Sequence, residues 1–372
     1  MALRADRAGA TAVVVAATVS WLSCGTGGHG RSERQAPGVT ASLMRHREDA
    51  LARARVWREP ATPIGAADLR SDPPGPFQAL DQIECRYQLK VTAGLTPKFH
   101  CVLRSGRVIK VKYGRANVEP RAEVAATRLL SVLGFGADRM YLVKRVRCAG
   151  CPVYPHPQWG LLNSLFARSS GHVDFEDVVV EDPMPGRSIG AGDEQGWALY
   201  ELDKVDPSRE GASRAERDAL RLMAIFLADW DNKAENQRLV CPPRADMPDG
   251  GCRAPFAYLK DVGATFGPKG LDLEAWRATP IWADPGTCLV SMKSLPFQGA
   301  TFRDTVVSES GRRLLADELK QLRTEQVRDL FTAAGFTEYM KSSKAGRNVD
   351  NWVSAFEDKV RQIADRPPCP EP

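Results

Sequence analysis

Between Asp229 and Gly263 the sequence carries an ordered series of carboxylates and amides. Asp229-Trp230-Asp231-Asn232-Lys233-Ala234-Glu235-Asn236 is followed by a strand-like run, a loop, a second run, and Lys260-Asp261-Val262-Gly263. Transfer of a phosphoryl group needs a carboxylate to orient the acceptor hydroxyl, an oxygen ligand for a divalent ion, and a second carboxylate that bridges this ion to the nucleotide phosphates. Asp231, Asn236 and Asp261 can fill these three places. The spacing Asp-x-Lys-x-x-Asn sets Asp231 and Asn236 on one short loop, with Lys233 placed to neutralise charge on the transferred group. Taken alone, the loop would read as a polar turn after a helix. Its order relative to the preceding apolar helix, the two following runs and Asp261 favours the chemical reading.

Such chemistry also needs a cation for the nucleotide phosphates. Val108-Ile109-Lys110-Val111-Lys112 reads as a strand presenting a lysine, and Glu123 on the next helix is a candidate ion-pair partner. Period-two alternation puts Lys110 and Lys112 on the same face, so spacing does not choose between them; Lys112 is favoured. Gly94-Leu95-Thr96-Pro97 is a candidate turn over the phosphates, without a full Gly-x-Gly-x-x-Gly series.

The elements that would position these groups are legible. Runs at Cys85 to Val91, Phe99 to Leu103 and Val108 to Tyr113 predict a small antiparallel sheet, with Arg104-Ser105-Gly106-Arg107 as a hairpin loop. Pro120 opens a helix carrying Ala122, Ala125, Ala126, Leu129, Val132 and Leu133 at helical spacing, and Gly134 ends it. Further runs follow at Met140 to Val146 and Phe175 to Glu181. Ser213 with Glu216 predicts a capping box for an apolar helix to about Ala228, buried on several sides. Short strands at Gln237 to Val240 and Phe256 to Leu259 flank the second loop. Helices are expected near Ser310 to Leu322, Thr324 to Ala334 and Val349 to Ala364.

These residues resemble the kinase-like superfamily, in the atypical branch that includes secretory-pathway casein kinases, HipA-type kinases and phosphoinositide-kinase-like folds. Ala122-Glu123-Val124-Ala125-Ala126 through Leu133-Gly134-Phe135 is similar to the glutamate-bearing helix of the secretory kinases. Phe226-Leu227-Ala228-Asp229-Trp230-Asp231 resembles their approach to the catalytic loop. Leu259-Lys260-Asp261-Val262-Gly263 with Phe266-Gly267 resembles their metal-binding segment. Asp229-Trp230 stands where typical protein kinases carry His-Arg, and Asp261-Val262-Gly263 where they carry Asp-Phe-Gly. The resemblance implies an α+β bilobal kinase-like fold, with a small antiparallel-sheet N-lobe and a mainly helical C-lobe. It implies ATP as donor, Mg2+ or Mn2+ as metal, and a hydroxyl acceptor, with protein one candidate. A fold-level likeness does not choose the acceptor. The alternative reading is a non-catalytic, envelope-associated nucleotide- or partner-binding protein, a pseudokinase.

Composition bounds the rest. The chain has 372 residues, 43% of them hydrophobic, and a net charge of +5, without the basic stripe that nucleic-acid binding requires. Arg4 and Arg7, an apolar stretch from Ala10 to Leu22 and Ser23-Cys24-Gly25 have the layout of an export signal, and the stretch is shorter than the about 20 residues a membrane span needs. Cys24 stands where a lipoprotein would be lipidated, which would attach the chain to a membrane. Residues 1–24 are thus expected as signal, 25–76 as a flexible tether with one helical pattern around Ser42 to Trp57, 77–205 as N-terminal lobe and connection, and 206–372 as helical C-terminal lobe. The expected location is the periplasm or cell envelope, or otherwise secretion. Eight cysteines beyond Cys24 favour disulfides in such a compartment. Cys148-Ala-Gly-Cys151 also has the form of a redox pair or half a metal site, but no second close Cys or His pair completes a zinc set. The favoured local pairs are therefore Cys148 with Cys151, Cys241 with Cys252, and after them Cys85 with Cys101, a connectivity that sequence alone does not fix. Trp276, Trp282 and Phe297 read as packing residues before an acceptor groove, and Arg277, Lys293 and Arg303 as surface charge.

Overall fold

The computed structural model describes residues 37–79, 81–90, 96–114, 117–153, 155, 171–191, 194–268, 270–296, 300–338 and 343–370. The export signal, Cys24, Gly94, Leu95 and Phe297 lie outside the described residues. Among those described, no helix is long and apolar enough to cross a membrane.

The first half is built on strands β1 (Gln82–Gln88), β2 (Lys98–Leu103), β3 (Val108–Lys112), β4 (Arg139–Ala149) and β5 (His172–Asp182). They form a closed barrel in the order β1-β2-β3-β5-β4. The predicted strands pair antiparallel as expected, β1 with β2 and β2 with β3. The sheet departs from that expectation only where it closes, because β1 pairs parallel with β4, from Gln82 opposite Arg145 to Arg86 opposite Ala149. Closure removes the two exposed edges that an open sheet would leave. Ile83, Phe99, Cys101, Ile109, Val111, Val143, Val146, Val178 and Val180 turn inward as one apolar core. Alternation accounts for most of them, but it changes phase where the β4–β5 ladder is interrupted at Lys144 and Asp177, so Val143 and Val146 share the inner face. The disulfide Cys85–Cys101 joins β1 to β2 inside it, and Cys148–Cys151 closes the end of β4.

Helix α2 (Glu119–Val132) has Pro120 in its first turn, as the sequence predicts. It packs on β4 and β5 and carries its apolar face into a second, larger core shared with the helical half. Gly134 ends it at a φ of +84°, where a side chain would also strike Arg58 O at 2.1 Å. A helix before the barrel, α1 (Pro37–Ala52), runs into this same core.

Residues 50–72, expected within a loose tether, pack against the folded body. Leu51, Ala54, Val56, Ile64 and Leu69 are buried, and Arg55 N–H bonds to Pro255 O at 2.9 Å. Beyond the helical pattern that reaches Trp57, their apolar residues are spaced irregularly among Pro and Arg, so no period marks Ile64 and Leu69.

The second half centres on α3 (Arg214–Leu227). Its capping box is formed: Glu216 N donates to Ser213 Oγ at 3.2 Å, and Ser213 N to Glu216 Oε2 at 2.6 Å. Around it lie the short helix α4 (Leu273–Ala278), then α5 (Glu309–Lys320), α6 (Thr324–Ala333) and α7 (Val349–Ala364). The two-residue strand β6 (Arg187–Ser188) joins β9 (Gln237–Cys241) and β10 (Phe256–Leu259) in one sheet, after the small pair β7 (Gly190–Ala191) and β8 (Glu194–Gln195). Cys241–Cys252 staples the loop between β9 and β10, and Cys288–Cys369 ties the chain's end to the helical body. The fold is thus of mixed α and β content, and its four disulfides fit an oxidising compartment.

Candidate active site

On β3, Ile109 and Val111 occupy the barrel interior, so Lys110 and Lys112 stand on its outer face, toward α2. Geometry separates the two lysines. Lys112 Nζ donates to Glu123 Oε1 at 2.6 Å and Oε2 at 2.5 Å, and lies 3.4 Å from Asp261 Oδ1. Lys110 pairs instead with Glu181 of β5, directly opposite it, and Glu181 also lies 3.3 Å from Lys112. Burial opposes the charge on Lys112, but Asp261, Glu123 and Glu181 outweigh it and hold the ammonium protonated well above its usual range. Glu181 is held down at about 2 against burial by Lys110 and Lys112.

The loop that follows α3 begins with a left-handed residue, Ala228, at a φ of 55°. Past this turn Asp229 is buried, while Trp230 and Asp231 are partly exposed. Asn232 then pins the loop: its Nδ2 donates to Asp229 O at 2.8 Å, while its Oδ1 accepts from Thr301 N at 2.7 Å and Phe302 N at 2.9 Å. Asn236 Nδ2 donates to Asp231 O at 2.6 Å and to Asp231 Oδ2 at 3.2 Å. Lys233 Nζ lies 2.7 Å from Asp231 Oδ1. The backbone of Asn236 accepts from Lys260 N and Asp261 N, each at 3.0 Å, which sets Asp261 beside the loop.

All seven residues singled out from the sequence therefore fall in one neighbourhood. Asp231, Lys233 and Asn236 share the loop, Asp261 joins it to Lys112 and Glu123, and Lys110 stands one pair away on Glu181. Asp261 keeps 31% of its side chain exposed. Burial would raise its carboxyl, yet Lys112, Lys110, Lys98 and Lys260 hold it far below the usual carboxylate range.

Several groups at the site were not picked out from sequence. Glu119, in the first turn of α2, is raised by burial and by Asp261 despite Lys112 and Lys98. Asp229 is pushed up to about 8 by burial, Asp231 and Asp261. Lys98 and His100 of β2 stand opposite Lys112 and Lys110. The period-two pattern of β2, extended back one residue from Phe99, contained the signal for both.

The carboxylate crowding bears on a metal. Burial first, and Asp261 and Asp231 after it, raise Glu119 and Asp229, and Oδ1 of Asp229 is buried without a hydrogen-bond partner among the described residues. Hard oxygen donors in such a setting suit Mg2+ or Mn2+, and Asp261 with the Asn236 amide oxygen fits that need. The sulfurs of Cys85, Cys101 and Cys148 lie within 4.8 Å of one another, but disulfides consume them. Trp276 and Trp282 are buried, donating to Phe226 O and Gln362 O, each at 2.9 Å. Arg277 donates to Asn351 O, Lys293 pairs with Asp304, and Arg303 lies over Tyr200.

No family description matches the chain, and no curated protein matches it. Among solved structures, it is similar to the crystal structure of a proinflammatory kinase, CtkA, from Helicobacter pylori, at 10% identity and a TM-score of 0.43. The match covers 77% of this chain and 96% of that one. Likeness at that level carries no weight for function.

Proposed function

We propose that this chain is an exported kinase-like phosphotransferase that moves the γ-phosphate of ATP to a hydroxyl acceptor, with a protein hydroxyl one candidate. The nucleotide would lie between the barrel, as N-lobe, and the helical C-lobe. The reading is carried by one observation: a single buried ammonium, Lys112, connects Glu123 on α2 with Asp261, whose backbone is bonded to the Asp231–Asn236 loop.

In this reading Lys112, oriented by Glu123, holds the α and β phosphates, with Lys110 beside it. Asn236 and Asp261 would hold Mg2+ or Mn2+, which when bound supplies charge neutralisation for the phosphates. Asp231 orients the acceptor hydroxyl. The new bond forms from the hydroxyl oxygen to the γ-phosphorus, and the bond to the β,γ-bridging oxygen breaks. ADP leaves, and the hydroxyl proton passes to the Asp231 carboxylate. Lys233 neutralises charge on the group in transit. Catalysis is then positioning and electrostatic stabilisation. Export, with lipidation at Cys24 as its envelope form, belongs to the same proposal and agrees with the disulfides.

Incubation with ATP labelled at the γ or the α phosphate tests it. Transfer of the γ label supports a kinase, and transfer of the α label redirects the reading to nucleotidylation. Nucleotide binding with no transfer, across a broad acceptor panel, supports the non-catalytic binding protein instead.

A further inference from the structure

The outer face of the barrel presents four basic side chains in a square, Lys98 opposite Lys112 and His100 opposite Lys110. Two of them are paired. Lys112 is held by Glu123 and Lys110 by Glu181. His100 is lowered to about 4 by burial and by Lys90 and Lys110, so it is neutral near pH 7.

Lys98 differs. It is 7% exposed, and its ammonium, which keeps some contact with solvent, makes no hydrogen bond or ion pair among the described residues. Burial lowers its pKa and Asp261 draws it back up, while Lys112 and Lys110 push it down again. Asp261 is shared, since Lys112 lies 3.4 Å from it. A mostly buried lysine that serves structure is commonly paired with a carboxylate. The bland reading is an aliphatic stem packed on the barrel with its head reaching for water. Two features tell against it. Lys98 stands opposite a second lysine, Lys112, with 7% of its surface exposed, and it is near enough to Asp261 for that carboxylate to act on it.

We propose that Lys98 is a second phosphate-binding cation, which together with Lys112 holds a terminal phosphoryl group of the nucleotide beside Asp261. This rests on the functional reading above. It also accounts for the missing partner: the ligand supplies the anion.

The test uses the full chain with its disulfides formed, as wild type, Lys98→Met and Lys98→Arg, titrated calorimetrically with ATP, adenosine and inorganic pyrophosphate. Lys98→Met should lose at least about tenfold in affinity for ATP and pyrophosphate, as expected for a lost charged hydrogen bond. It should bind adenosine unchanged and, without ligand, show a Tm equal to or above that of wild type. Lys98→Arg should keep most of the affinity. Undiminished ATP binding by Lys98→Met overturns the proposal. Pyrophosphate binding by wild type without nucleotide binding, lost in Lys98→Met, keeps the anion subsite and removes the nucleotide reading. Wild type that binds no phosphate-bearing probe overturns both.

Discussion

Lys112 Nζ lies 2.6 Å and 2.5 Å from the two carboxylate oxygens of Glu123, and both side chains are almost wholly buried. One ion pair thus fastens β3 to α2 and, through Asp261, to the loop after β10. Breaking a buried pair strands the remaining charge and costs about 3–5 kcal/mol, whereas replacing both members by apolar groups is near neutral. Lys112→Met should therefore lower unfolding stability by about that amount, and the double variant Lys112→Met/Glu123→Leu should recover most of it. Phosphoryl transfer should be lost in both. Urea unfolding beside a γ-label assay separates the two roles.

Asp231→Asn keeps the size of the side chain and a carbonyl oxygen for the Asn236 amide, but removes the base that takes the hydroxyl proton. Transfer should fall roughly 10²- to 10⁴-fold with nucleotide affinity unchanged. Measured kcat against nucleotide Kd checks this. A fall in affinity with kcat retained would place Asp231 in nucleotide binding instead.

His100 predicts a pH dependence of stability. Its pKa falls from 6.5 to about 4 on folding, through burial and through Lys90 and Lys110. Between these values the unfolded chain binds the extra proton, so stability rises with pH. The contribution is complete above about pH 6.5 and is lost as pH falls toward about 4. Allowing for solvent screening, it amounts to about 1–2 kcal/mol. His100→Gln should flatten this part of the stability profile, and unfolding at pH 7 and pH 4.5 reads the difference.

Cys288 and Cys369 lie 81 residues apart, and their disulfide closes the largest loop of the four. Such a closure restricts the unfolded chain, so Cys288→Ser/Cys369→Ser should cost about 2–4 kcal/mol. Asp231, Asn236, Asp261, Lys112 and Glu123 all lie outside the closed loop, which touches the site through Thr301 and Phe302 on Asn232, so transfer below the lowered Tm should persist. A thermal scan with an activity measurement tests both halves.

Local signals carried much of the fold. The Ser213–Glu216 capping box, Pro120 and Gly134 mark α3 and α2 through interactions within a few residues, which a sequence displays directly. Long-range pairing is not displayed. The parallel match of β1 with β4 closes the barrel, yet alternation in Ile83 or Val146 says only which side chains face inward. Lys110 and Lys112 were equivalent by alternation, and it is the distance from α2 to β3 that places Glu123 on Lys112. Glu181 was invisible for the same reason, since its meeting with Lys110 depends on the register of β3 with β5. Cys148–Cys151 and Cys241–Cys252 are short enough to be read from spacing; Cys288–Cys369 is not.

The most direct measurement compares wild type with Asp261→Asn, both shown to be folded by Tm, for transfer of the γ-phosphoryl group of ATP in the presence of Mg2+ or Mn2+. A kinase-like centre built on Asp261 predicts transfer by the wild type and loss of at least about a hundredfold in the variant. Equal transfer by the two proteins, or none from wild type with either metal across a broad acceptor panel, would contradict it.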